Sequence, residues 1–422
     1  MFQTNFPNEP SVSMRSAEAA RTLRKRQDQH APEETPLSLF NYFPNYVWNL
    51  SVAIAMESGA RIGEIMDMCE PLLAQTAQGE DVGTEQFMTA WVTKADTLSS
   101  LAAEDEADGA AYSAADKLGR AALYYLVAER MQGLGHPGRE ETYAKGVAAF
   151  VRASRLSGAK IERVEFPYKD TILTGYFCAA EGVTGPAPCV LYLNGLDSMK
   201  EMLVWSGLPA ELARRGISTL CLDQPGTGEA LRLHDLTADP ISENWGTPAY
   251  EYLAARADVD ADRIGITGIS LGGYYAPRIC ANEPRFASGA CWGANHNWAE
   301  VQHKRLKREG EMPVPHYWNH VRWVFGAADM DSFFAKADLM TLDGEMEKIR
   351  VPFLVTHGAK DRQISVDYAH TAYEQLTNSP HRALKIFTDR EGGVEHVGAD
   401  NMSFGKHFIA DWFASTLGGH KA

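Results

Sequence analysis

The stretch ITGISLGG at residues 266–273 runs from a β-branched apolar segment into a serine set between glycines. In the spacing G-x-S-x-G, with a strand signal before it and a helix signal after it, Ser270 sits where the backbone must turn sharply. Such a turn holds the hydroxyl at the strand tip above the first turn of the next helix, and the flanking glycines remove side chains that would collide. The chemistry implied is nucleophilic attack.

A serine hydroxyl is a weak nucleophile at neutral pH. It needs a base within reach, and the base needs a carboxylate to orient it. Asp361 follows the apolar run VPFLVTHG at 351–358, at a predicted strand tip. His396 lies in EGGVEHVGAD, a glycine-containing loop between the run RALKIFTD and the last helical stretch. Asp329, Asp331 and Asp338 are rival carboxylates, but they fall in a polar insertion and not after a strand. Attack on a carbonyl also needs two N–H donors for the oxyanion. Leu271, directly after the serine, is one candidate. The other is expected in the loop after the earlier strand VLYLNGLDS at 190–198, at Leu196.

These residues need a scaffold that brings distant strand ends together. From residue 160 onward apolar strand runs alternate with helical stretches, which predicts a doubly wound, mostly parallel α/β sheet with its chemistry at the carboxyl ends of the strands. Before residue 160 strand signals are nearly absent and about five helices fit. The organisation expected is a polar arm over 1–35, a helical cap domain over 36–158 and a catalytic domain over 159–422. About fifty residues rich in Trp, His and charge, at 298–346, read as an inserted lid.

Composition narrows the partners. The 422-residue chain is 45% apolar and 23% charged and carries a formal net charge of −15, which disfavours nucleic acid and anionic membranes. No apolar run reaches the roughly 18–20 residues needed to cross a bilayer, and the first residues lack the apolar core of a secretory signal. Arginines and a lysine at 21–26 read as a polar helix or arm. The six cysteines are scattered without CxxC spacing, as expected of reduced thiols in a cytoplasmic protein. A small molecule is the partner expected, and a homodimer the assembly left open.

The motifs resemble the α/β-hydrolase family over about 160–420. GLDSMKE at 195–201, GISLGGYYAPR at 268–278 and the helical N-terminal part resemble a narrower group: 2,6-dihydroxypseudooxynicotine hydrolase of bacterial nicotine breakdown, and the fungal heptaketide hydrolases that shorten pigment polyketides. The resemblance implies a cofactor-free, metal-free serine hydrolase that cuts a carbon–carbon bond beside a ketone in an aromatic or polyketide-like molecule through an acyl-enzyme, the helical part covering the site. A carboxylic-ester or lactone hydrolase would use the same machinery. A non-catalytic binding protein on this fold would have no need of Ser270, Asp361 and His396 together. Glu201 falls on an acidic position to which the resemblance assigns a catalytic contribution. Ser198 and Glu201 also spell S-x-x-E, a helix-capping box, and both readings stand.

Other patterns are weaker. DQPGTGE at 223–229 holds a G-x-G after a strand without the third glycine of a dinucleotide site. His316 and His320 are four apart but lack a third metal-ligand motif. Trp292, Asn295, His296 and Trp298 follow a strand end near Ser270, and Trp292 and His296 are taken as substrate contacts. The aromatic group Phe40, Tyr42, Phe43, Tyr46 and Trp48 reads as cap core.

Overall fold

The change in patterning near residue 160 is a change in architecture. In a computed structural model of the chain, residues 42–43, 46–76, 84–309 and 317–420 are described. The arm at 1–35, the basic cluster at 21–26, Phe40 and His316 lie outside the described residues. Among the described residues five helices come first: α1 (Tyr46–Glu57), α2 (Ile62–Thr76), α3 (Thr84–Ala107), α4 (Ala111–Arg130) and α5 (Arg139–Ser157). Helix α4 is buried continuously from Ala121 to Glu129, so it is the axis about which the others pack. Trp48, Phe87, Trp91 and Tyr124 form a chain of ring contacts with centroids 4.5–5.6 Å apart. Helix α5 carries Glu140 and Glu141 in its first turn and ends on Gly158 at φ 70°, a left-handed cap that glycine adopts without strain.

Eight strands then build one sheet: β1 (Ile161–Tyr168), β2 (Thr171–Cys178), β3 (Ala187–Leu193), β4 (Ser218–Asp223), β5 (Val259–Ile269), β6 (Ser288–Trp292), β7 (Phe353–Gly358) and β8 (Arg382–Phe387). Their spatial order is β1-β2-β4-β3-β5-β6-β7-β8. β1 and β2 pair as an antiparallel hairpin and β2 meets β4 antiparallel; every later pairing is parallel. This is the α/β-hydrolase arrangement. β3, β4 and β7 are buried along their whole length, as strands covered on both faces must be. Successive side chains feed opposite cores: Leu191 and Ile266 pack with Trp245 and Tyr274, while Val190 and Tyr192 join Trp412 and Phe413 on the other face.

Two details depart from the sequence reading. The stretch 200–216 reads as one helix but is two, Lys200–Trp205 and Leu208–Arg214, broken where Gly207 takes φ 77° ahead of Pro209. The short helix Gly228–His234 follows the G-x-G loop and was not foreseen. At 298–346, the described helices are Trp298–Glu309, Tyr317–Val324 and Met330–Ala337. Asp329, one of the rival carboxylates, caps the third of these by accepting the Ser332 N–H at 2.8 Å.

One buried ionic group ties these layers together. The Glu129 carboxylate of α4 accepts from Arg139 of α5 at 2.7 Å and from Arg232 of helix Gly228–His234 at 2.8 Å through two nitrogens. Both guanidinium groups also lie over the Trp323 ring, at 4.2 and 5.5 Å from its centre. Burial alone would push the Glu129 carboxyl up; the two arginines hold it below the ordinary glutamate value.

Candidate active site

Ser270 ends β5 at φ 58°, in the left-handed region that a non-glycine residue enters only under constraint. Its N–H donates to the Trp292 carbonyl at 2.9 Å, and its carbonyl accepts from Gly273 N–H at 2.8 Å. A Cβ at position 268 would lie 2.3 Å from the Gly272 carbonyl oxygen, so only glycine permits this turn. The Ser270 hydroxyl is 2.8 Å from His396 Nε2, and His396 Nδ1 is 2.8 Å from Asp361 Oδ2. Residues 126 and 35 positions apart in the chain thus form one hydrogen-bonded chain at the ends of β5, β7 and β8.

The Asp361 carboxylate is fixed by more than His396. Its other oxygen accepts the N–H groups of Gln363 and Ile364 at 2.8 and 2.9 Å. Burial pushes this carboxyl up, but the His396 imidazole and these donors outweigh burial and hold it below the ordinary aspartate value. His357 escaped the sequence reading; its only signal was a histidine inside β7, four residues ahead of Asp361. Its Nδ1 accepts from Ala294 N–H and its Nε2–H donates to the Ile364 carbonyl, both at 3.0 Å. With both nitrogens committed and burial lowering its pKa, His357 is a neutral strut lying 3.4 Å from Asp361 Oδ2.

The loop carrying His396 is clamped, not loose. Asp400 accepts the N–H groups of Gly393, Val394 and Glu395 at 2.8, 3.2 and 2.8 Å. The loop also presses on Gly358, where a Cβ would come within 2.3 Å of the Val394 carbonyl oxygen.

Ser270 opens into a cavity of about 150 Å³. Val47, Leu50 and Ile54 of α1 line one side, and Trp298, Val301 and Tyr317 another. Leu196, Leu271 and His396 line it beside the serine. A Cβ on Gly195 would be 3.0 Å from the Ser270 Cβ, so the loop after β3 lies against the serine. Neither Leu196 nor Leu271 spends its N–H on a hydrogen bond among the described residues. Arg130, at the end of α4, donates to the Asp197 carbonyl at 3.2 Å and to Ser51 at 2.9 Å. His320 lies 3.0 Å from the Asp197 carboxylate. Asp197 is held well below the ordinary aspartate value: burial opposes this, and His320 and Arg130 prevail.

Three site expectations are corrected by position. Trp292 does not line the cavity; its indole packs on the helix Met402–Leu417, where a Cβ on Gly405 would be 2.7 Å from the ring. His296 is also turned away, bonded to Gln375 at 2.6 Å. Asn295 and Trp298 face the cavity in their place. Glu201 is fully buried outside the cavity wall, and the capping box does not form. Ser198 donates to the Asn194 side chain at 2.6 Å, and Met199 is the N-cap.

Glu201 belongs to a buried charge group behind the loop. Lys200 Nζ lies 2.9 Å from Asp223 Oδ2, 2.9 Å from Glu229 Oε2 and 3.4 Å from Glu201 Oε1. Asp223 also accepts from the Lys200 and Glu229 N–H groups and from Asn194 Nδ2. Gln224 brackets the Asn194 backbone with two further bonds. Burial, aided by the Asp223 charge and opposed by Lys200, raises the Glu201 carboxyl. A raised carboxyl contributes stability below the ordinary glutamate pKa of about 4.3 and loses it as pH rises through the folded value. Glu201→Gln, which mimics the neutral acid, should match the wild type in urea near pH 4 and become the more stable protein as pH rises. A deficit that grows with pH would show the carboxylate to be ionised and needed. Its turnover should stay within a few-fold of wild type.

Comparison with known proteins places this geometry in a family. The model of the FrsA-like esterases matches residues 75–322, more than half of the chain. The chain belongs to the FrsA-like esterase family. A prolyl oligopeptidase family model also matches residues 247–420. Hydrolase LUC6 of Fusarium sp. is 26% identical, covering 89% of this chain and 98% of its own. The 2,6-dihydropseudooxynicotine hydrolase of Paenarthrobacter nicotinovorans is 27% identical over 66% of this chain and 71% of its own. The crystal structure of 2,6-dihydroxy-pseudo-oxynicotine hydrolase superposes with a TM-score of 0.69 at 21% identity, over 86% of this chain and 95% of that one, a likeness of fold. This FrsA-like protein is therefore an α/β-hydrolase, related to esterases and to a 2,6-dihydropseudooxynicotine hydrolase. No helix among its described residues is long and apolar enough to cross a membrane.

Proposed function

We propose that this FrsA-like protein is a serine hydrolase cleaving a carbon–carbon bond beside a ketone in an aromatic or polyketide-like small molecule. The observation that carries the reading is the continuous chain Ser270 Oγ, His396, Asp361, with 2.8 Å at each link, opening into a small, mostly apolar cavity. Ser270 attacks the carbonyl carbon as His396 takes its proton; Asp361 holds Nδ1–H and stabilises the imidazolium. The Leu196 and Leu271 N–H groups receive the oxyanion. Collapse expels the leaving carbon with its electron pair, and the imidazolium returns the proton to it. This requires a leaving carbon that tolerates negative charge, such as a hydroxylated ring or the central carbon of a β-diketone. Water activated by His396 then releases the carboxylic acid and restores Ser270. Because Glu201 is shut off from the cavity, protonation falls to His396.

One relative supports C–C cleavage over the alternative: the match to 2,6-dihydropseudooxynicotine hydrolase, whose kind the sequence motifs also resemble. The description of the family as esterases favours the second reading, a carboxylic-ester or lactone hydrolase with the same machinery. Assays of p-nitrophenyl butyrate beside an acylated dihydroxypyridine and a β-diketone, with products identified by mass, separate the two. The ketones should exceed the ester in kcat/KM by about 100-fold or more. Rapid ester turnover with both ketones left intact would overturn C–C cleavage and leave the ester reading.

A further inference from the structure

We propose that Asn295 is a specificity-determining residue whose carboxamide takes a hydroxyl of the substrate next to the carbonyl that Ser270 attacks. The inference rests on the reading of Ser270 as nucleophile and adds the chemical class of the group recognised.

The segment after β6 lies against the serine. Ser270 N–H donates to the Trp292 carbonyl, and a Cβ on Gly293 would be 3.7 Å from Ser270 N. A Cβ on Gly273 would meet the Gly293 carbonyl at 1.9 Å and the Asn295 nitrogen at 3.5 Å. Two residues beyond Gly293, Asn295 lines the cavity while only 2% exposed. Its carboxamide oxygen is sealed from solvent and meets no hydrogen-bond donor among the described residues. Such an orphan costs a fold about 1–3 kcal/mol and calls for an explanation.

Most other polar side chains of the wall are occupied by the protein itself. Tyr317 donates to Gln302 at 2.5 Å, Arg305 donates to Gln363, and Arg130 is bound to Ser51 and Asp197. Asn295 stands apart from them. A carboxamide offers an acceptor on one side and donors on the other, and a hydroxyl, which both donates and accepts, suits it in either orientation. In a hydroxylated aryl ketone or an enolised β-diketone, the hydroxyl beside the acyl carbon is also the group that makes the leaving carbon tolerable. Asn295 therefore reads the same feature that makes the substrate cleavable, and a site built to bond a hydroxyl discriminates strongly against the analogue lacking it.

The probes are two trifluoromethyl ketones, 2,2,2-trifluoro-1-(2-hydroxyphenyl)ethanone and its unhydroxylated parent. Each adds reversibly to a serine: Oγ bonds the carbonyl carbon, the carbonyl π pair becomes the oxyanion and the serine proton passes to histidine. Inhibition constants for both are measured in wild type, Asn295→Leu and Asn295→Ala, and comparing the hydroxylated-to-parent ratio between proteins cancels the ketones' intrinsic reactivity. The wild-type preference for the hydroxylated ketone should fall by about 100-fold in both variants. Asn295→Leu should also melt at or above the wild-type temperature, since it removes an unsatisfied polar group. An equal preference in all three proteins overturns the inference while leaving Ser270 as nucleophile. Failure of both ketones to inhibit the wild type overturns the nucleophile assignment, and this inference with it.

Discussion

Ser270→Ala should reduce kcat by about 10⁵–10⁶-fold while leaving the fold intact. The loss is large because nucleophile and base act as one unit: without the hydroxyl, His396 and Asp361 have nothing to activate, and only oxyanion and binding contributions survive. The fold should persist because the strained φ of 58° is already held by the Trp292 carbonyl and the flanking glycines. Alanine carries the same Cβ as serine and adds no collision. Single-turnover kinetics would check the first statement, and urea unfolding of both proteins the second. A serine-directed phosphonate should add its mass to the wild type alone. A variant that keeps a tenth of the wild-type rate would show that Ser270 is not the attacking group.

Lys200→Met should cost about 3–5 kcal/mol of stability, the usual effect of removing one partner from a buried ionic group. Lys200, Glu201 and Asp223 are each 0% exposed, so water cannot compensate the carboxylates left behind. Burial alone would depress the Lys200 ammonium; Asp223 and Glu201 overcome that and raise it well above the ordinary lysine value. Glu229 keeps a second cation in Arg163, at 2.7 Å, which leaves Asp223 and Glu201 to bear the loss. Asp223 organises Asn194 and the loop that lies against Ser270, so kcat should fall along with stability. Against a typical total of about 5–15 kcal/mol, such a loss is plain in a urea midpoint. A shift under about 1 kcal/mol would mean that the carboxylates are neutral in the fold and that Lys200 is not their counter-charge.

The parts of this molecule legible in its sequence are those whose physics is local or periodic. The glycines about Ser270 announce a crowded turn, and fully apolar runs separated by helices announce a parallel sheet. Asp361 and His396 could be named because strand-end positions follow from strand order. The misreadings share a cause. Glu201 follows Ser198 at capping distance, yet its environment is set by Lys200 and by Asp223, twenty-two residues further on. No local pattern tells which of Trp292, Asn295, His296 and Trp298 turns to the cavity, because Gly293 at φ 89° redirects the chain there. His357 looks like any strand residue until Ala294 and Ile364 close around it. The cavity wall has no local signature at all, since α1, the end of α4 and the 298–346 segment meet only in the folded chain.

The shared anchoring of Arg139 and Arg232 by Glu129 bears on how this protein can diversify. A sheet half inherited without its helical partner would carry the Arg232 guanidinium stripped of its counter-ion, and a transplanted helical half would keep Arg139 but lose the two-nitrogen grip of Arg232 on the buried Glu129. Recombination at the junction near residue 160 is thus penalised on both sides. New substrate preferences in this lineage should arise by point replacement along the cavity wall and not by exchange of whole modules.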